Sequence, residues 1–319
     1  MLACANRFFR RPIFFSSLIL VSCGLWQPSM AEDELKFAWP LPSRVTVTEN
    51  VLKKGKTAKT RYDIVMKAQD KGNNRELHFE NYQFIEIEGL DLTVPENREK
   101  LGPVLNQLTA MGGILPTLVI NPDGKVEDVV GIEKCVDAAL ALIPGADPKM
   151  EEMMRSPEMI AQMKQKSVDF WRVWVETWLA CKSSAGSETS IETEIPILGG
   201  EKMSAPLKVR NEGPDGGTGG DIRLTASTVM DGEPAKKAMQ QMMMAMVAKI
   251  PVKEGVKPFS PDMVKSVKRT TNFLVITNPK TLQPRRAESE ALVELAIEDQ
   301  QKSEIEKHEY LFDWATSAK

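Results

Sequence analysis

Apolar and polar residues alternate over much of this chain. Val45, Val47 and Val51 fall on one side while Arg44, Thr46 and Thr48 fall on the other, the period of a strand buried on one face. Residues 61–68 repeat the pattern with Tyr62, Ile64 and Met66 inward, and Asp70-Lys71-Gly72-Asn73-Asn74 supplies the turn for a hairpin into a strand over 75–88. That strand changes face. Leu77, Phe79, Ile85 and Ile87 share one side and Tyr82 and Phe84 the other, which predicts a bulge midway or apolar contact on both faces. Residues 114–120 and 125–132 flank Asn121-Pro122-Asp123-Gly124, a clear hairpin signal. Further strand patterns lie at 189–197, 202–210, 221–230 and 266–277. The segment 284–297 fits strand or helix equally by period. The turn Asn278-Pro279-Lys280-Thr281 before it and the alternation of Tyr310, Phe312 and Trp314 after it favour a strand.

Between these strands the period becomes helical. Pro95-Glu96-Asn97 opens a helix carrying Leu101, Val104, Leu105 and Leu108, with Pro103 required to sit in a first turn, and another helix is expected over 133–143. From 147 to 182, Met150, Met153, Met154, Met159 and Met163 are followed by Phe170, Trp171, Trp174, Val175 and Trp178. Ser156-Pro157-Glu158 divides this stretch, because proline begins helices and interrupts them. A second methionine-rich helix runs from about 234 to 250, an irregular linker covers 252–261, and 212–220 is a glycine-rich loop. The order of elements rhymes between 40–145 and 186–319, so the segment 147–182 joins two halves of similar plan. The expected fold is α+β: a large antiparallel, strongly curved, half-barrel-like sheet with helices packed on one face, because hairpins dominate and parallel crossovers do not.

The first 31 residues read as a leader for export. Arg7, Arg10 and Arg11 precede an apolar run over 13–26 that is too short to span a bilayer, and Ser29 and Ala31 give the small-residue spacing of a cleavage site after Ala31. This places the protein in the periplasm or outside the cell. Leu20-Val21-Ser22-Cys23 supports a competing reading, a membrane-anchored lipoprotein acylated at Cys23. The whole chain carries a net charge of −3, and loss of the leader's arginines makes the remainder more acidic. Acidic and basic residues are interleaved, so nucleic acid is not an expected partner. Past the leader only Cys135 and Cys181 remain, and an even pair in an oxidising compartment predicts a disulfide, the alternative being two separately buried thiols.

Few residues offer chemistry. The chain has two histidines: His78, between Glu76 and Glu80, and His308, inside the charged run 304–309, and both read as solvated surface residues. Phosphate-loop, nucleophile-elbow and zinc-helix motifs are missing from the sequence, Gly216-Gly217-Thr218-Gly219-Gly220 reads as a linker, and Glu86 with Glu88 reads as a wet pair. No cofactor, metal site or catalytic residue is expected. The 17 methionines are the compositional oddity. Met239, Met242, Met243 and Met246, with Trp171, Trp174 and Trp178, read either as core or as the adaptable walls of a cavity for an apolar ligand; thioether binding of Cu(I) is weaker, with no histidine beside the cluster.

Ile120-Asn121-Pro122-Asp123-Gly124-Lys125-Val126, followed by Val130-Gly131, resembles a hairpin of uncharacterised exported bacterial proteins. The order of elements over about 40–315 resembles the LolA type of half-barrel, whose members carry lipoproteins or lipids across bacterial envelopes. That resemblance implies a non-enzymatic envelope protein holding a lipid or other apolar small molecule between sheet and helices. The alternative is a structural component that binds an envelope protein partner, and the third reading is a hydrolase without a recognisable motif.

Overall fold

The computed structural model describes residues 34–112, 114–141, 147–196, 202–217, 219–247 and 260–314. The expected leader, its cleavage point and Cys23 lie outside the described residues, as does nearly all of the linker over 252–261.

Strands β1 (Ser43–Lys53), β2 (Lys56–Ala68) and β3 (Arg75–Ile87) form a meander, with the two-residue β4 (Leu90–Asp91) turned back on β3. Helix α1 (Pro95–Gly112) leads to the hairpin of β5 (Thr117–Ile120) and β6 (Val126–Val130). The chain then leaves the sheet as α2 (Ile132–Ala141), α3 (Pro148–Met154), α4 (Pro157–Ser167), α5 (Asp169–Trp174) and a 3-10 turn over Glu176–Ala180. It returns as β7 (Glu188–Pro196), β8 (Lys202–Pro214), β9 (Ile222–Met230), α6 (Gly232–Val247), β10 (Val264–Thr277), β11 (Pro284–Ile297) and β12 (Gln300–Trp314). The expected large antiparallel sheet forms, and 284–297 is a strand.

Sheet order explains how the site is built. The strands run β6-β5-β3-β2-β1-β12-β11-β10-β9-β8-β7, so the first and last strands pair at the centre and the sheet stays open, with β6 and β7 at its edges. The two halves therefore unroll outward from the β1–β12 pair. Because β6 and β7 are consecutive in the chain but at opposite edges, the segment between them must cross the sheet. It does so on the concave side: residues of β5 and β6 (Leu118, Ile120, Val129) and of β8 (Leu207, Val209) share one buried cluster with Trp171, Trp174 and Trp178. Only a curved sheet brings positions so far apart in strand order onto one plug.

Local signals account for the elements. Pro148 and Pro157 stand in first turns, where their missing N–H groups cost nothing, and the Asp147 and Ser156 side chains accept from Lys149 N and Met159 N. Gly102, at φ +44°, interrupts α1, so Pro103 begins the second piece as its ring requires. The expected bulge lies in β3: Asn81 adopts φ +55°, and the register against β2 shifts between Arg61 and Asp63. The bulge returns Tyr82 to the face of Phe79, so that both rings meet Tyr62 at 5.7 Å. On the convex face, Arg44 pairs with Asp63 and Glu80, and Arg286 with Glu288 and Glu309. Exposed pairs of this kind contribute about 0–1 kcal/mol each and mainly keep that face wet.

An extended strap over 35–39 closes the apolar end. Leu35, Phe37 and Trp39 are buried, Trp39 Nε1 donates to Leu282 O at 3.0 Å, and Phe37 and Trp39 meet Trp171 at 5.6 and 5.1 Å. The strap fits because Gly124, at φ +88°, has no side chain: a Cβ there would stand 2.6 Å from Phe37 Cβ. Gly124→Ala is therefore expected to cost at least about 2 kcal/mol, combining left-handed strain with overpacking, whereas Gly72→Ala, at φ +90° in open space, should cost about 1 kcal/mol. Urea unfolding of the two variants measures the difference.

The expected disulfide is absent: Cys135 and Cys181 are both free. Cys135 turns back on its own helix, its Sγ donating to Gly131 O at 3.3 Å, and Cys181 is buried where the strap docks, its carbonyl accepting from Leu35 N. Burial pushes both thiols up, Cys181 to about 11, so neither the half-buried Cys135 nor the buried Cys181 is a ready thiolate.

Candidate functional site

The register of β1 against β12 sets a gradient along the concave face. Inward positions pair as Val45 with Trp314, Val47 with Phe312, Glu49 with Tyr310, Val51 with His308 and Lys53 with Glu306. One end of the face is thus aromatic and dry, and the other charged. Helix α5 fills the dry end. Trp174 packs edge-on to Tyr310 and Phe312 at 5.2 and 5.1 Å, Trp171 Nε1 donates to Gly124 O at 2.9 Å, and Trp178 Nε1 to Val173 O at 2.8 Å.

At the other end a cavity of about 550 Å³ remains between the sheet and the α4–α5 junction. Its apolar wall is Phe79, Tyr82, Phe170, Leu207, Met230 and Phe273, with Phe79 and Phe170 in edge contact at 5.1 Å. Its polar wall carries Glu49, Lys53, Glu306 and His308 from the sheet, Lys166, Asp169 and Arg172 from the helices, and Arg269 from β10. The size lies within the range of small-molecule sites, and aromatic walls with a few convergent polar groups are their usual make-up.

The sheet-side charges form a closed network. His308 faces Glu49 at 2.9 Å through Nδ1 and Glu306 at 3.2 Å through Nε2, Lys53 reaches Glu306 at 2.8 Å, and the ring stacks on Tyr310 at 6.1 Å. Burial disfavours the imidazolium, but hydrogen bonds to Glu306 and Glu49 outweigh it and hold His308 up at about 9. The bond from His308, with Lys53 beyond it, lowers Glu306 to about 2. At neutral pH His308 is therefore cationic and Glu306 anionic, within a mutually hydrogen-bonded set. On the helix side, Asp169 is salt-bridged to Arg172 at 3.0 Å; its carboxyl opens into the recessed cavity but is closely walled by protein, and desolvation raises it to about 6 against the pull of Arg172, Lys166 and Arg269. Perturbed groups converging on a cleft mark a candidate functional site. Among the described residues no group of three or more His, Cys, Asp or Glu is arranged to hold a metal ion.

The residues singled out from sequence fall elsewhere. Trp171, Trp174 and Trp178 do not wall the cavity: they are fully buried beneath it as the plug, while their helix neighbours Phe170 and Val173 face the space. Met239 and Met243 pack with Ala235 on Val264, Val267 and Leu295, a separate small cluster under α6; the side chains of Met242 and Met246 lie outside the described residues. The methionine the cavity does use is Met230, which stands opposite Arg269. His308 was expected in solvent, but it shares the inward alternation of Tyr310, Phe312 and Trp314 and keeps only 25% of its side chain exposed. The same parity marked Glu49 as the polar residue in the inward series Val45, Val47, Val51. His78 stays at the rim of β3 with Glu76 and Thr117, and Glu88, paired with Lys56, stays exposed.

The fold and site together define an α+β protein with an open antiparallel sheet whose concave face holds an aromatic plug and an amphipathic cavity. Comparison with known proteins finds no matching family model and no matching curated protein. No helix of the described residues is long and apolar enough to cross a membrane.

Proposed function

We propose that this is a non-enzymatic binding protein of the cell envelope that holds a lipid or other amphipathic molecule in the concave cavity. The observation that carries the reading is the cavity itself, about 550 Å³ walled by Phe79, Tyr82, Phe170 and Phe273 on one side and by charged groups on the other. An apolar chain laid against those rings is removed from water, worth about 25 cal/mol per Å² of surface covered, while a headgroup meets the polar wall. The export leader and the resemblance to LolA-type half-barrels support the same assignment. The working parts are then Phe79, Phe170 and Phe273 as the seat for the chain, and α5 as the rigid floor.

Titration of the delipidated protein with parinaric acid, a fluorescent fatty acid, tests this. Binding is expected to be saturable and to be lost in Thr271→Trp, which projects an indole from the cavity wall and leaves the buried plug untouched. Undiminished binding to Thr271→Trp would place the ligand elsewhere.

A further inference from the structure

We propose that the ligand carries a neutral hydrogen-bonding group, a hydroxyl or carbonyl part-way along its apolar body, and that Thr228 receives it; this rests on the reading of the cavity as a ligand site. The inward positions of β9 are Ile222, Leu224, Ala226, Thr228 and Met230, so Thr228 is the one polar residue of that series. It lines the cavity, is only 8% exposed, and its hydroxyl has no hydrogen-bond partner among the described residues. A hydroxyl sealed from water with nothing in exchange is a net cost to the fold, and valine, of the same shape, would avoid it. Threonine at this position gains only when a bound molecule supplies the partner.

Cross-strand register places the hydroxyl relative to the polar wall. One row of paired positions runs Leu207, Thr228, Thr271, Ala291, Glu306 and Lys53, from β8 through β9, β10, β11 and β12 to β1. Thr228 therefore stands three strand spacings, about 14 Å along the sheet, from Glu306. A long chain whose headgroup meets the polar wall, and whose body crosses the short side chains of Ala291 and Thr271, passes Thr228 before its end. The group it presents there is neutral. With buried Leu207 on one side of Thr228 and Thr271 on the other, a lone hydroxyl cannot replace the hydration of an ionised group, but it can match one hydroxyl or carbonyl.

Oleate and ricinoleate, which is oleate with one hydroxyl part-way along the chain, test the inference by displacement of parinaric acid near neutral pH, below their micelle concentrations. In a wall without a partner the extra hydroxyl would weaken binding, because it is desolvated for nothing. With Thr228 as partner, ricinoleate is expected to bind about fivefold more tightly than oleate. Thr228→Val keeps the shape and removes the hydroxyl, so it should abolish or reverse that preference and hold oleate at the parent affinity. Its stability in urea without ligand should match or exceed the parent's. Ricinoleate binding no tighter than oleate, or a preference that survives Thr228→Val, would overturn the assignment. So would a ligand-free Thr228→Val less stable than the parent, since the hydroxyl would then already be served by water or protein. Parinaric acid that does not bind at all would overturn the ligand-site reading and this inference with it.

Discussion

Replacing Trp174 with alanine is expected to lower stability by about 3–5 kcal/mol, while Trp174→Phe should cost about 1 kcal/mol. The indole is fully buried and touches Phe170 at 4.5 Å, Tyr310 at 5.2 Å and Phe312 at 5.1 Å, so alanine leaves a void at the point where both halves of the sheet meet the plug. Phenylalanine keeps most of that contact, and it forfeits no hydrogen bond, because Trp174 Nε1 has no partner among the described residues. Trp171→Phe should be the costlier of the two conservative changes. Its Nε1 donates to Gly124 O, and removing the donor strands a buried carbonyl at about 1–3 kcal/mol. Urea unfolding of the variants ranks them directly, and Trp174→Phe as damaging as Trp174→Ala would contradict the packing.

Stability is also expected to fall between about pH 6.5 and 9, by up to about 3 kcal/mol, through His308. The folded protein holds this imidazole at about 9 against its ordinary 6.5, so it binds the proton more tightly than the unfolded chain. The resulting stabilisation is complete below the unfolded value and is lost as pH rises through the folded one. Other perturbed groups act outside the window. Asp169, raised to about 6, loses its contribution between about pH 4 and 6, and Glu306, lowered to about 2, loses its own as pH falls below its ordinary range. The His308–Glu306 bond is one interaction seen from two ends and counts once. His308→Gln should flatten the slope between pH 6.5 and 9 and lower stability at pH 6. Denaturant unfolding at three pH values checks both, and a parent protein equally stable at pH 6.5 and 9 would show that the imidazole is not charged in the fold.

Local chemistry made much of the fold legible. The turns at 70–74 and 121–124, the proline break at Pro157, the bulge in β3 and the strand after Asn278 each rest on a few neighbouring residues whose backbone preferences settle the outcome. What the sequence did not disclose is non-local. The pairing of β1 with β12 joins residues more than 250 positions apart, and nothing in either strand names its partner. Without that pairing the charged run 304–309 looks solvated, although its alternate members face inward. The tryptophans at helical spacing carried the right message about burial, but a helical stripe cannot distinguish the plug beneath a cavity from the cavity wall. Of the two readings of the α6 methionines, core or cavity wall, Met239 and Met243 take the first and fill a small satellite core, as flexible side chains commonly do. Cys135 and Cys181 satisfied the counting rule for a disulfide, but both thiols are free, Cys135 turned back on Gly131 O and Cys181 buried in the main core.

The most direct test of the central claim is the mass of the protein purified from its native envelope, recorded first under native and then under denaturing conditions. The account predicts an adduct of the mass of an amphiphile in the native spectrum alone, released on unfolding and diminished in Thr271→Trp. A bare polypeptide mass in both spectra, from protein that also fails to take up parinaric acid, would contradict it.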